Sequence, residues 1–191
     1  HTALATGGAH LPISAGLRAR YLPRMLLWSY LQGVRRTDLY ELIASFDRGD
    51  ADPESHFGLL AHDGRPTPAF RAVRSLVRLF GANAGTVAAV AADRDVTLSA
   101  AVPDLVFARF ARQDGATLIP IWLGLDGWDR RNRIPLPDAL ARPAEIRLSR
   151  QPRQVRLHRF DDDGSVTVAN LPADRSVPVQ VTDRLGVIEL T

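Results

Sequence analysis

Helical periodicity stops near residue 82 and does not return, and that break governs what this chain can fold into. Before it, two amphipathic segments enclose one short apolar run. After it come short extended segments divided by turns. A helix, a buried strand and a second helix form the repeating unit of an α/β fold, but one strand cannot make a sheet. The first third therefore reads as an incomplete piece of a larger α/β body, and the remainder as an all-β domain.

The first third supplies its own punctuation. Ser14 is a natural N-cap. Leu17, Tyr21, Met25, Trp28 and Gln32 follow at helical spacing, widened by Leu22, Leu26 and Leu27. This predicts a helix over 14–33, kinked at Pro23 and stopped by Gly33. In 34–43, Leu39, Tyr40, Leu42 and Ile43 bunch instead of alternating, as in a strand covered on both faces of a parallel sheet. A polar loop is expected over 44–55, an extended piece over 57–61 and a turn at His62-Asp63-Gly64. Thr67-Pro68 then opens a second helix whose apolar face is Phe70, Val73, Leu76, Val77 and Phe80. Trp28 and Trp122, set in apolar runs, are expected in the core.

Residues 82–86 read as a linker between a 1–81 portion and an 87–191 domain. Strands are expected at 87–92, 95–101, 105–112, 117–123, 144–149, 153–159, 165–170 and 176–190, the last split at Gly186. Turn signals recur at Asp114-Gly115, Asp126-Gly127 and Asp163-Gly164. Strands at this spacing without helices between them predict an antiparallel β-sandwich, with a longer loop over 126–143.

Composition narrows the functional classes. Without cysteine there is no disulfide framework and no thiolate nucleophile or ligand. All 24 basic residues are Arg, scattered among Asp, for a formal charge of only +3. A nucleic-acid binder would gather them into a stripe, so no nucleic-acid partner is expected. The longest apolar run, Met25–Leu31, falls far short of the ~20 residues of a membrane span. The histidines lack zinc-ligand spacing. Asp161-Asp162-Asp163-Gly164 lacks the alternating ligands and distal Glu of a calcium loop, and reads as a solvated hairpin turn. No metal or cofactor is expected. The first residue is His, and no basic n-region followed by an apolar h-region opens the chain, so either a leader was removed or a large N-terminal part is expected to be missing.

Particular residues of the first third sit in a recognisable order. They are Leu39-Tyr40-Glu41-Leu42, Asp52-Pro53, Phe57-Gly58-Leu59-Leu60, Asp63-Gly64 and Pro66-Thr67-Pro68-Ala69-Phe70. This order resembles the end of the catalytic barrel in retaining bacterial glycoside hydrolases of the large (β/α)₈ clan, the cellulase-like and β-xylosidase-like members. The pattern departs at Ala44, where that clan commonly has Asp, and at Thr67, where Lys is common. The resemblance implies the seventh helix, eighth strand and eighth helix of a TIM barrel, followed by an accessory β-sandwich. It also implies a pair of catalytic Glu residues on the fourth and seventh strands, both before His1. No catalytic residue is then expected here, and the chain alone should be inactive. The implied partners are a carbohydrate substrate and the upstream barrel of the same polypeptide, and the implied location is secreted or cell-envelope.

Three residues are candidates for touching sugar. Tyr40 and Glu41 end the one barrel-type strand; neighbours on a strand point to opposite sides, so at most one faces a lumen. The alternatives are a core Tyr40 and a Glu41 paired with Arg. Trp128, in Asp126-Gly127-Trp128-Asp129-Arg130, is placed to stack on a pyranose ring or to plug the end of the sandwich. The other functional class left open is a non-catalytic carbohydrate-binding or structural β-module.

Overall fold

The computed structural model describes residues 2–3, 12–49, 52–81, 88–89, 96–99, 101–132 and 134–191. In chain order its elements begin with strands β1 (Thr2–Ala3) and β2 (Pro12–Ile13), helix α1 (Ala15–Leu31), a 3-10 turn (Pro53–His56) and helix α2 (Pro68–Gly81). Strands β3 (Ala88–Ala89), β4 (Val96–Leu98), β5 (Leu105–Phe107), β6 (Phe110–Ala111) and β7 (Thr117–Leu123) follow. Next come β8 (Trp128–Asp129), β9 (Ile134–Pro135), β10 (Arg142–Leu148) and β11 (Val155–Phe160). The chain closes with β12 (Val166–Leu171), β13 (Ser176–Val181) and β14 (Gly186–Leu190). The fold is mixed α/β with a β-rich part, in two compact units: 1–76 with 126–137 and 161–165, and 77–125 with 138–160 and 166–191. The expected linker at 82–86 lies outside the described residues.

In the first unit, α1 starts where Ser14 caps it, the hydroxyl accepting from Leu17 N at 3.1 Å. It runs through Pro23 and ends before Gly33, whose φ of 83° suits glycine. Its buried residues are Leu17, Ala19, Arg20, Pro23 and Leu27. Trp28, expected in the core, is 49% exposed. The part of α2 in this unit buries Ala69, Ala72 and Leu76, a narrow stripe of small side chains. Of the apolar face expected for α2, Val77 is 61% exposed.

The largest departure concerns 34–43. Where the apolar run predicts a buried strand, only Ile43 is bridged, in parallel, to Leu60. Tyr40 is 70% exposed, Leu42 59% and Ile43 48%. Among the described residues its backbone hydrogen bonds run to the 57–60 stretch: Glu41 N and Ala44 N donate to Phe57 and Leu60 carbonyls, while Leu59 N and Leu60 N donate to Glu41 and Leu42 carbonyls. In a parallel bridge of this form the amide and carbonyl of Ile43 point to the opposite edge. The hydrophobic pattern of a strand is present, but the neighbours that would bury it are not among the described residues.

The Asp161–Ser165 segment is the expected hairpin turn, with Asp163 and Ser165 exposed, but arginines anchor part of it. Arg20, with a 5% exposed side chain, donates from Nε and Nη2 to the two oxygens of Asp162 at 3.0 and 2.5 Å. Arg71 donates to the Asp163 carbonyl at 2.9 and 2.7 Å. Gly164, at φ 80°, passes so close to the Pro68 carbonyl that a Cβ there would collide with it. Two arginines, from α1 and α2, hold this acidic turn.

The second unit is an antiparallel sandwich. A three-stranded sheet, β13-β10-β4, shares one core with a sheet ordered β12-β11-β14-β7-β6-β3, in which β5 also pairs with β7. Ile146, Val177, Val179 and Val181 of the first meet Ile119, Ile121, Leu123, Leu157 and Ile188 of the second. The alternation of β13, with Val177, Val179 and Val181 inward, is the period-2 pattern of a one-sided strand. By contrast β7 and β14 are buried along nearly their whole length, and beside them Phe80 of α2 meets Phe110 of β6 edge-to-face at 5.2 Å. Thr117–Leu123 falls where the sequence predicts it, and 176–190 divides at Gly186.

Candidate functional site

The sequence-predicted pair Tyr40 and Glu41 lies on the half-paired segment 39–44, joined by a cis peptide bond. The Tyr40 ring is exposed and meets Phe57 edge-to-face at 5.7 Å. It walls an open cavity of about 110 Å³ with Tyr21, Leu22, Met25, Leu39 and Phe57. Glu41 enters no ion pair with an arginine among the described residues. Its Oε1 accepts from Ser45 N at 2.9 Å and its Oε2 from Ser45 Oγ at 2.6 Å. The carboxylate thus closes the 41–45 turn and keeps only its outer lone pairs for another donor.

Arg18 was not singled out by the sequence, since nothing distinguishes it from the other arginines of an amphipathic helix. Its guanidinium donates to three successive carbonyls, of His56, Phe57 and Gly58, at 2.7, 2.5 and 2.8 Å. Burial pulls its pKa below the ordinary value. It separates the Tyr40 cavity from a second one of about 150 Å³ bounded by Ala15, His56, Gly58, Thr67 and Pro68. Gly58 is needed there, because a Cβ would strike the Leu60 carbonyl and the Ala44 amide.

Trp128 lines neither cavity. It is half-buried in a two-stranded hairpin, β8 with β9, and its indole N–H is buried without a hydrogen-bond partner. Among the described residues no cluster of three His, Asp or Glu side chains could hold a metal ion. None of the described helices is long and apolar enough to cross a membrane.

The sandwich carries a buried ionic knot that sequence reading missed, because its members are far apart in the chain. Glu189 on β14, with a 6% exposed side chain, accepts from Arg112 Nη2 at 2.7 Å and lies 3.0 Å from His158 Nε2. Arg156 stands 3.6 Å away. Arg112 also meets Asp114 at 2.8 Å and donates to the Leu79 carbonyl at 3.0 Å. Burial pushes the Glu189 carboxyl up, but the hydrogen bonds from His158 and Arg112 outweigh it and hold the pKa below the usual range. The Asp114 carboxyl is held low by Arg112 and the Ala116 amide.

The sequence matches no protein-family model and none of the curated proteins. Among solved structures, a family 39 glycoside hydrolase from Bacteroides cellulosilyticus WH2 aligns over 91% of this chain and 30% of its own, at 16% identity and a TM-score of 0.54. The chain has a glycoside-hydrolase-like fold. A monomeric β-xylosidase from Caulobacter crescentus CB15 aligns over 92% of the chain and 42% of its own length, at 15% identity and a TM-score of 0.51. The chain therefore spans well under half the length of both structures, and at these identities the likeness concerns fold alone.

Proposed function

We propose that this chain is the C-terminal part of a retaining glycoside hydrolase acting on O-glycosidic bonds of a polysaccharide or oligosaccharide. One observation carries the reading: the apolar segment 39–43 is exposed and hydrogen-bonded along one edge, with no backbone partner along the other among the described residues. An exposed edge with apolar side chains templates strand pairing, and soluble proteins normally cover or charge it. Here the cover is supplied by preceding strands of a (β/α)₈ barrel, and the sandwich is its accessory domain. Retaining catalysis needs two carboxyl groups ~5–5.5 Å apart. Glu41, engaged with Ser45, is one carboxylate and not a pair. The catalytic Glu residues belong to the preceding barrel, and Tyr40 with Glu41 contributes to one wall of the sugar cleft. The protein acts outside the cytoplasm, in the secreted or cell-envelope space where polysaccharides are met.

The test is twofold. The 191 residues alone should release no aglycone from aryl β-glycosides, and the polypeptide preceding His1 should restore turnover. Glycosidase activity in the isolated chain, or an upstream sequence without further βα units and an Asn-Glu at a strand end, would refute the reading.

A further inference from the structure

The β8–β9 hairpin is fixed at its base and bare at its tip. At the base, Gly127 N donates to the Tyr21 hydroxyl at 2.5 Å, and Leu136 N donates to the Gly127 carbonyl at 3.0 Å. A Cβ on Gly127 would lie 2.9 Å from Leu17 Cδ2, so the hairpin is pressed against α1. At the tip, the Asp129 carboxylate accepts from Arg131 N and Asn132 N at 2.9 Å each, and from Asn132 Nδ2 at 2.6 Å. That carboxylate is spent on shaping the turn. Arg130 and Arg131 are exposed and enter no ion pair among the described residues. On the returning side Ile134 is 52% exposed and Leu136 38%.

This combination selects a partner by its chemistry. Sugar rings are held by exposed aromatic faces, and the only aromatic of the hairpin, Trp128, has its polar edge buried. Two free guanidiniums beside two bare aliphatic side chains instead match a surface of phosphates above hydrocarbon, where arginine stems lie on the apolar layer and their heads bind phosphate. We propose that the tip of this hairpin is an anchor for anionic lipid surfaces, with Arg130 and Arg131 at the phosphates and Ile134 and Leu136 at the acyl boundary.

Co-sedimentation with vesicles tests it. The chain is mixed with vesicles of phosphatidylcholine, or of phosphatidylcholine with about a third phosphatidylglycerol, an anionic content that gives a substantial negative surface potential. Binding should require the anionic lipid and weaken with salt. Replacing Arg130→Gln and Arg131→Gln should each weaken it about fivefold, the effect of one cation at such a surface. Ile134→Ser should weaken it further, and Ile43→Lys, on the other bare segment, should leave it unchanged. These are exposed positions, and far-UV circular dichroism confirms that each variant is folded. The proposal is overturned by equal binding to neutral vesicles, by binding that survives the arginine replacements or depends on Ile43, or by no vesicle binding at all. Retention on a soluble polyuronate in place of vesicles would overturn it too, assigning the arginines to an acidic polysaccharide.

Discussion

Replacing Glu189→Gln tests whether the buried knot of the sandwich stabilises it through charge. The carboxylate is almost fully enclosed, with Arg112 and His158 at 2.7 and 3.0 Å. Removing one partner of a buried pair costs about 3–5 kcal/mol when the other is left alone. Arg112 is not left alone, since Asp114 at 2.8 Å and the Leu79 carbonyl at 3.0 Å remain. Glutamine also preserves shape and one acceptor. The expected loss is therefore nearer to that of a single charged hydrogen bond, about 2 kcal/mol. It should appear in urea unfolding at neutral pH, followed by the β-sheet signal in circular dichroism, as a lower midpoint with unchanged slope. The pH dependence has a definite sign. A carboxyl whose folded pKa lies below its unfolded value contributes its stability above the unfolded value, about 4.3 for Glu, and loses it as pH falls through the folded one. The gap between wild type and variant should be full at pH 6–7 and close below about pH 4. A gap under about 0.5 kcal/mol at neutral pH, or one that persists unchanged in acid, refutes the ionic account.

Three further outcomes follow from the first unit. Arg20→Ala should cost about 3 kcal/mol in chemical unfolding, because Asp162 loses its bidentate partner inside the packed turn. Gly164→Ala should lower the thermal midpoint sharply, by at least about 2 kcal/mol in stability, since a left-handed backbone and the Pro68 carbonyl both oppose a Cβ. Leu42→Lys with Ile43→Lys should leave stability within about 0.5 kcal/mol. The same pair of changes should reduce self-association in sedimentation velocity and the binding of a hydrophobic dye, because both side chains are exposed in this chain.

The parts legible in the sequence are those whose signals are local. Ser14 and Gly33 bracket α1, Thr67-Pro68 opens α2, and β7, β10, β11 and β12 lie within two residues of their expected bounds, whereas the expected strand 95–101 shortens to β4 and 105–112 splits into β5 and β6. What escaped depends on distant partners. Hydrophobicity marks 39–43 as buried, but burial is a property of neighbours, and those are not described here. The Asp161–Asp163 turn reads as solvated because Arg20 is far away in sequence. Trp28 sits in an apolar run yet faces outward, and two of the three buried residues of α2, Ala69 and Ala72, are too small to register as an apolar face beside the expected Leu76. Of the candidate site residues, Tyr40 and Glu41 share one segment, whereas Trp128 lies in a separate hairpin whose short pairing is hidden within an apparent loop.

The two halves of the chain treat the same problem oppositely. In the sandwich, β7 and β14 are apolar on both sides and buried along nearly their whole length, one side against the second sheet. Even the one charge placed there, Glu189, is matched by Arg112 and His158. In the helical unit the comparable segment has α1 and the 57–60 stretch on one side and open backbone on the other. Exposed apolar strand costs solubility as well as stability, so the second segment calls for a partner of the kind the first already has. The asymmetry within one chain thus supports the proposed barrel cover more strongly than the exposure of any single residue, because the sandwich serves as an internal control for how this sequence handles a two-sided strand.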